Sequence, residues 1–210
     1  MSGAPRVRDV PAPRKASGVI GPAFGRIFAW PYRAILAGLA RAGLRPWHLT
    51  LLSLVGNLAA GWLLLTNRRI LPAFVLAFAG MLDVFDGGLA RLRGVASRTG
   101  AFLDSTCDRV ADVVVFGCLF WSLTGQGSDT AAAFALGALV TSFMVSHLRA
   151  EAEAAGLALT EGAVQRLERY ILLLLGLLIP GALLPILVLL TVLGLVTAGQ
   201  RGWLAWRRLG

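Results

Sequence analysis

Four aspartates interrupt apolar sequence between positions 83 and 108, in the stretch DVFDGGLARLRGVASRTGAFLDSTCD. Asp83 and Asp86 lie three apart, and Asp104 and Asp108 four apart. Those spacings put side chains on one face of a helix. An ionised carboxylate at membrane depth costs several kcal/mol unless something compensates it. Four that converge would also repel one another. Divalent cations remove both penalties. Two Mg2+ or Mn2+ ions roughly 3.5–4 Å apart would in addition form a clamp for phosphoryl oxygens. The expected chemistry is metal-assisted transfer of a phosphorus group at a membrane.

The residues between the acids fit that chemistry. Gly87, Gly88 and Ala90 follow Asp86, and Gly100 precedes Asp104. Small residues let a ligand or another backbone come close. Arg91 lies one turn beyond Gly87 and suits a pyrophosphate oxygen. The arrangement fits a diphosphate ester whose lipid tail stays in the bilayer. Paired acids in membranes also line ion pathways, so an ion-coupled transporter is the alternative from a different class. A transporter has no use for this order of glycines and arginine around the acids.

The elements that must position these residues are membrane helices. The chain has 210 residues, of which 57% are hydrophobic, and its mean hydropathy is +0.73. Soluble domains of this size do not have that composition. The expected fold is an all-α integral membrane protein, with six transmembrane helices preceded by an N-terminal interfacial amphipathic helix. Residues 1–17 are polar, basic and Pro-containing. They read as a disordered N-terminus without the pattern of a secretory leader. Residues 18–45 mix apolar patches with Arg26, Arg33 and Arg41, and place Trp30 and Tyr32 at headgroup level. Residues 46–210 form the expected transmembrane catalytic domain. Its spans fall near 47–66, 70–92, 100–124, 130–154, 163–179 and 183–200. Pro46 is a helix-opening signal. The short connection after residue 92 makes the second and third spans neighbours.

The net charge of +9 comes almost entirely from arginine, with Lys15 the single lysine. These charges flank apolar segments, which points to anionic lipid and phosphorylated substrates as partners and not to nucleic acid. Of the 20 basic residues, only Arg68 and Arg69 fall on the face opposite the N-terminus. The positive-inside rule then puts both termini and the aspartates on the cytoplasmic side of the cell membrane. Cys107 and Cys118 have no metal-type spacing and read as packing residues.

At these positions the chain resembles the CDP-alcohol phosphotransferase family, whose signature is D-x2-D-G-x2-A-R-x8-G-x3-D-x3-D. Asp83, Asp86, Gly87, Ala90, Arg91, Gly100, Asp104 and Asp108 match every fixed position. The resemblance implies transfer of a phosphatidyl group from CDP-diacylglycerol to an alcohol, with release of CMP. It implies two divalent ions, Mg2+ or Mn2+, held by Asp83 and Asp104 together, with Asp86 on the first and Asp108 on the second. It makes Asp108 also the proton acceptor, which a carboxylate beside the metals can be. It assigns the CDP-lipid to Pro46, Trp47, His48, Leu49, Gly87, Arg91 and Ser97. Relatives often carry Asn or Asp where this chain has Trp47. His48 has a structural reading as well, as an interfacial side chain at a helix start. The family also implies a homodimer.

SHLRAEAEAAG at 146–156, QRLER at 165–169 and DSTCDR resemble the inositol phosphate branch of that family. By that resemblance Arg109, Arg149, Arg169 and Arg201 hold the acceptor phosphate. Topology alone also accounts for arginines at these helix ends. Glu151 stands where the branch commonly has a second arginine. Glycerol 3-phosphate or another alcohol is the alternative acceptor. Asp112 continues the spacing after Asp108 and reads as an arginine partner, as do Glu153 and Glu168.

Overall fold

The computed structural model describes residues 29–157 and 166–209. The expectations for residues 1–17, for 18–28 and for the 158–165 connection lie outside them. All regular structure in the described residues is helical. The elements are α1 (Ala29–Arg41), α2 (Pro46–Leu64), α3 (Ile70–Leu92), α4 (Arg98–Gly125), α5 (Asp129–Ala154), α6 (Arg166–Leu178) and α7 (Leu183–Leu209).

Local sequence accounts for the helix ends that frame the site. Arg45 is extended, Pro46 opens α2, and the Arg45 N–H donates to His48 Nδ1 at 3.2 Å. α3 ends in a left-handed cap at Gly94, φ +65°. There Gly94 N–H donates to Arg91 O and Val95 N–H to Ala90 O. Ser97 caps α4, its Oγ accepting from Gly100 N–H at 3.0 Å. At the other end of the molecule Asn67 adopts φ +59°. Its Oδ1 accepts from Ser122 Oγ at 3.0 Å and Gln126 Nε2 at 3.1 Å, tying the α2–α3 turn to the end of α4.

Two apolar clusters bracket the polar middle. One joins Leu64, Leu76, Phe116, Leu119 and Leu187 across α2, α3, α4 and α7. The other packs Leu36 of α1 and Leu49 of α2 against Phe85 and Leu89 of α3. α2 runs between α3 and α4 and packs on both. No Cα of α3 comes within 8 Å of one in α4. The second and third apolar runs are thus not in backbone contact, contrary to the expectation from their short connection. The gap between them is wide enough for side chains to meet inside it.

α2, α3, α5 and α7 are long and apolar enough to cross a membrane. α4 has 28 residues but carries Arg98, Asp104, Asp108, Arg109 and Asp112. Large apolar side chains stand outward, among them Phe74 and Phe78 of α3, 64% and 56% exposed. An outward apolar surface of this kind belongs in lipid. The chain is a membrane protein. α7 continues as helix through the tail to Leu209, beyond the expected end near 200. Cys107 and Cys118 are free thiols.

Candidate active site

Asp83 comes from the second half of α3, and Asp104 and Asp108 from the second and third turns of α4. Each presents a carboxylate oxygen, and the three atoms lie within 4.8 Å of one another. Three like charges this close repel one another unless protons or cations lie among them. Asp86 sits one turn further along α3 and is only 4% exposed. Its Oδ2 accepts from Thr50 Oγ1 of α2 at 2.6 Å. The donor set is hard oxygen throughout, the chemistry that Mg2+ and Mn2+ select. The residues present therefore fit a divalent metal centre.

One cation in the cluster belongs to the chain itself. Arg166, at the start of α6, donates Nη1 to Asp83 Oδ2 at 2.6 Å and lies 2.7 Å from Asp108 Oδ1. The motif QRLER points to Arg169, and Arg166 is not among the expected site residues. The available signal was its position at the head of the fifth apolar run, on the aspartates' side of the membrane. Tyr170, one turn along α6, anchors that helix. Its hydroxyl lies 2.9 Å from Asn57 Oδ1 and 3.0 Å from Leu76 O. Gly80 makes room for the ring, since a Cβ there would lie 2.7 Å from Tyr170 Cε1.

The residues expected at the CDP-lipid lie at the start of α2, in the second half of α3 and at the cap of α4. The Thr50–Asp86 bond joins α2 to α3. Pro46 is the first residue of α2 and Leu49 is buried. Trp47 is half exposed, and its ring centroid lies 4.0 Å from that of His48. His48 Nδ1 is engaged by the Arg45 backbone, and Ser97 Oγ by Gly100 N–H, so both also serve helix starts. Arg91 is exposed and lies beside the Tyr32 hydroxyl of α1. Burial pushes that hydroxyl above the ordinary phenol range, and Arg91 draws it partly back. Tyr32 stacks on Phe85 at 5.3 Å between ring centroids. Its hydroxyl fills the space that a side chain at Gly88 would take.

The four arginines expected at the acceptor have different surroundings. Arg169 borders a narrow crevice with Asn57, Asp112, Arg166 and Tyr170. Arg109 folds back on its own helix, Nη1 donating to Ser105 O and lying 2.6 Å from Ser105 Oγ. Arg201 is buried and donates to Val145 O at 2.8 Å. Arg149 is exposed and pairs with Glu153 at 2.8 Å. Asp112 Oδ2 accepts from Ser142 Oγ at 2.6 Å. A larger pocket, about 490 Å³, lies at the opposite end of the bundle among Arg69, Ser128, Asp129 and Gly181, away from the aspartates.

The model of the CDP-alcohol phosphatidyltransferase family matches residues 44–204, which include the whole cluster. The chain belongs to this family. A phosphatidylinositol phosphate synthase of Mycobacterium marinum is 35% identical over 193 residues, covering 87% of this chain and 82% of the relative. The crystal structure of the Mycobacterium tuberculosis phosphatidylinositol phosphate synthase with CDP-DAG bound superposes with a TM-score of 0.74 at 35% identity. It covers 82% of this chain and 92% of that one. The same Mycobacterium tuberculosis protein in complex with manganese and citrate gives 0.73 at 34% identity, over 82% and 88%. Family membership decides against the transporter reading.

Proposed function

We propose that this CDP-alcohol phosphatidyltransferase moves a phosphatidyl group from CDP-diacylglycerol to inositol phosphate and releases CMP. The observation that carries the reading is the convergence of Asp83 of α3 with Asp104 and Asp108 of α4 within 4.8 Å. The names of the relatives supply the donor and acceptor. Asp83, Asp86, Asp104 and Asp108 hold two Mg2+ or Mn2+ ions. When bound, these ions neutralise the diphosphate and the departing CMP.

The chain's own groups do the rest. Pro46, Trp47, His48, Leu49, Gly87, Arg91 and Ser97 seat the CDP moiety, from the start of α2, the second half of α3 and the cap of α4. Asp108 takes the proton from the acceptor hydroxyl. The hydroxyl oxygen bonds to the phosphorus that carries diacylglycerol, and the phosphorus–oxygen bond to CMP breaks with its electrons leaving on CMP. Arg109, Arg149, Arg169 and Arg201 attract the acceptor phosphate from the cytoplasmic side. The bundle crosses the cell membrane six times as a homodimer, with α1 on the inner surface. Residues 46–210 are the catalytic domain.

Purified protein in detergent, given CDP-diacylglycerol and Mg2+ or Mn2+, tests the reading through CMP release. Inositol phosphate should support turnover, and glycerol 3-phosphate should give less than a tenth of that rate. A higher rate with glycerol 3-phosphate would reassign the acceptor. Thr50→Val keeps the shape of the side chain and removes the donor to Asp86. It should raise the Mn2+ concentration for half-maximal rate by about 10-fold, as loss of a hydrogen bond behind a metal ligand does. An unchanged metal requirement would separate Asp86 from the metal centre.

A further inference from the structure

Arg166 has one nitrogen, Nη1, lying against the carboxylates of both Asp83 and Asp108, at 2.6 and 2.7 Å. Its Nε is buried and has no hydrogen-bond partner among the described residues. The guanidinium thus occupies oxygen atoms that belong to the metal-binding set, while its own fork is incompletely used. Arg169 and Asp112 line the adjoining crevice with it. A divalent cation on the same carboxylate oxygens would be repelled by the guanidinium charge held 2.6 and 2.7 Å from them, so metal and Nη1–H compete for those oxygens.

We infer that Arg166 is a tethered counter-ion that divalent metal must displace. This rests on the assignment of the aspartates as the metal centre. With the metal absent, Arg166 holds Asp83 and Asp108 across the gap between α3 and α4. Without it, three carboxylates within 4.8 Å would push the two helices apart. Metal loading is then an exchange of one cation for another. The exchange frees the guanidinium toward the Asp112–Arg169 crevice before the acceptor arrives. Arg166 acts through Asp83 and Asp108 and is a positioning residue in this step. Tyr170, one turn along, keeps the helix in place while the side chain moves.

Mn2+ binding followed by electron paramagnetic resonance, on protein without substrates, tests the exchange. Arg166→Gln removes the competitor and should bind Mn2+ about tenfold more tightly than the unaltered protein, a change of about 1.4 kcal/mol. Arg166→Lys keeps a tethered charge and should bind with near-normal affinity. Unchanged or weaker binding by Arg166→Gln overturns the inference, as does equal tightening in both variants. In the unaltered protein, saturating Mn2+ should raise the rate of Arg166 modification by phenylglyoxal at least threefold, read by peptide mass spectrometry. An unaltered rate also overturns it. Asp83→Asn is the separate control. Retained Mn2+ binding in that variant would overturn the metal-centre assignment itself, whatever Arg166 does.

Discussion

Asp108→Asn is expected to lower turnover by about 10³-fold while CDP-lipid binding stays measurable. The substitution preserves size and removes a proton-accepting charge, and a positioned base contributes roughly that much. It also removes one metal ligand of the proposed set and one partner of Arg166. The residues proposed to hold CDP lie elsewhere, at the start of α2, in the second half of α3 and at the cap of α4. Affinity and chemistry should therefore separate. Single-turnover CMP formation gives the rate, and calorimetric titration with a CDP-lipid gives the affinity. A rate within threefold of normal would remove Asp108 as the base. Loss of binding together with rate would instead mean that Asp108 shapes the donor pocket.

The acids were legible because their signal is local. A spacing of three or four in apolar sequence fixes the helix face, and the cost of burying charge then demands a partner. The helix start at Pro46 was legible for the same reason. What escaped depends on packing between helices distant in sequence. Thr50 meets Asp86 across 36 residues, and Arg166 meets Asp83 across 83. No spacing rule covers such pairs. Arg166 and Arg169 look equivalent in QRLER, and only the folded structure, with Tyr170 seated beside Gly80, shows Arg166 on the aspartates. Arg149 meets Glu153 four residues on, a local pair that spacing alone allows. The separation of α3 from α4 was hidden too. A short connection brings two helix ends together but does not make the helices touch.

Removal of divalent metal should abolish CMP release without unfolding the protein. The carboxylates supply hard oxygen ligands and no transferable group, so the residual rate after chelation should be at background. Mn2+ or Mg2+ should restore it, and Ca2+, which accepts looser geometry, should restore less. The fold should survive because Arg166 already bridges Asp83 and Asp108, and because apolar clusters lie on both sides of the site. Helical circular dichroism should therefore be the same with and without chelator. Stability should still change. Metal at a hundred times its dissociation constant stabilises the folded state by about 2.7 kcal/mol. For a chain of this size that corresponds to a rise of about 5–10 °C in melting temperature. The shift should vanish in Asp104→Asn, because Asp104 is one of the three converging carboxylates. Full activity in the chelated protein, confirmed metal-free by elemental analysis, would falsify the metal-dependent mechanism. An undiminished shift in Asp104→Asn would place the bound cation elsewhere in the molecule.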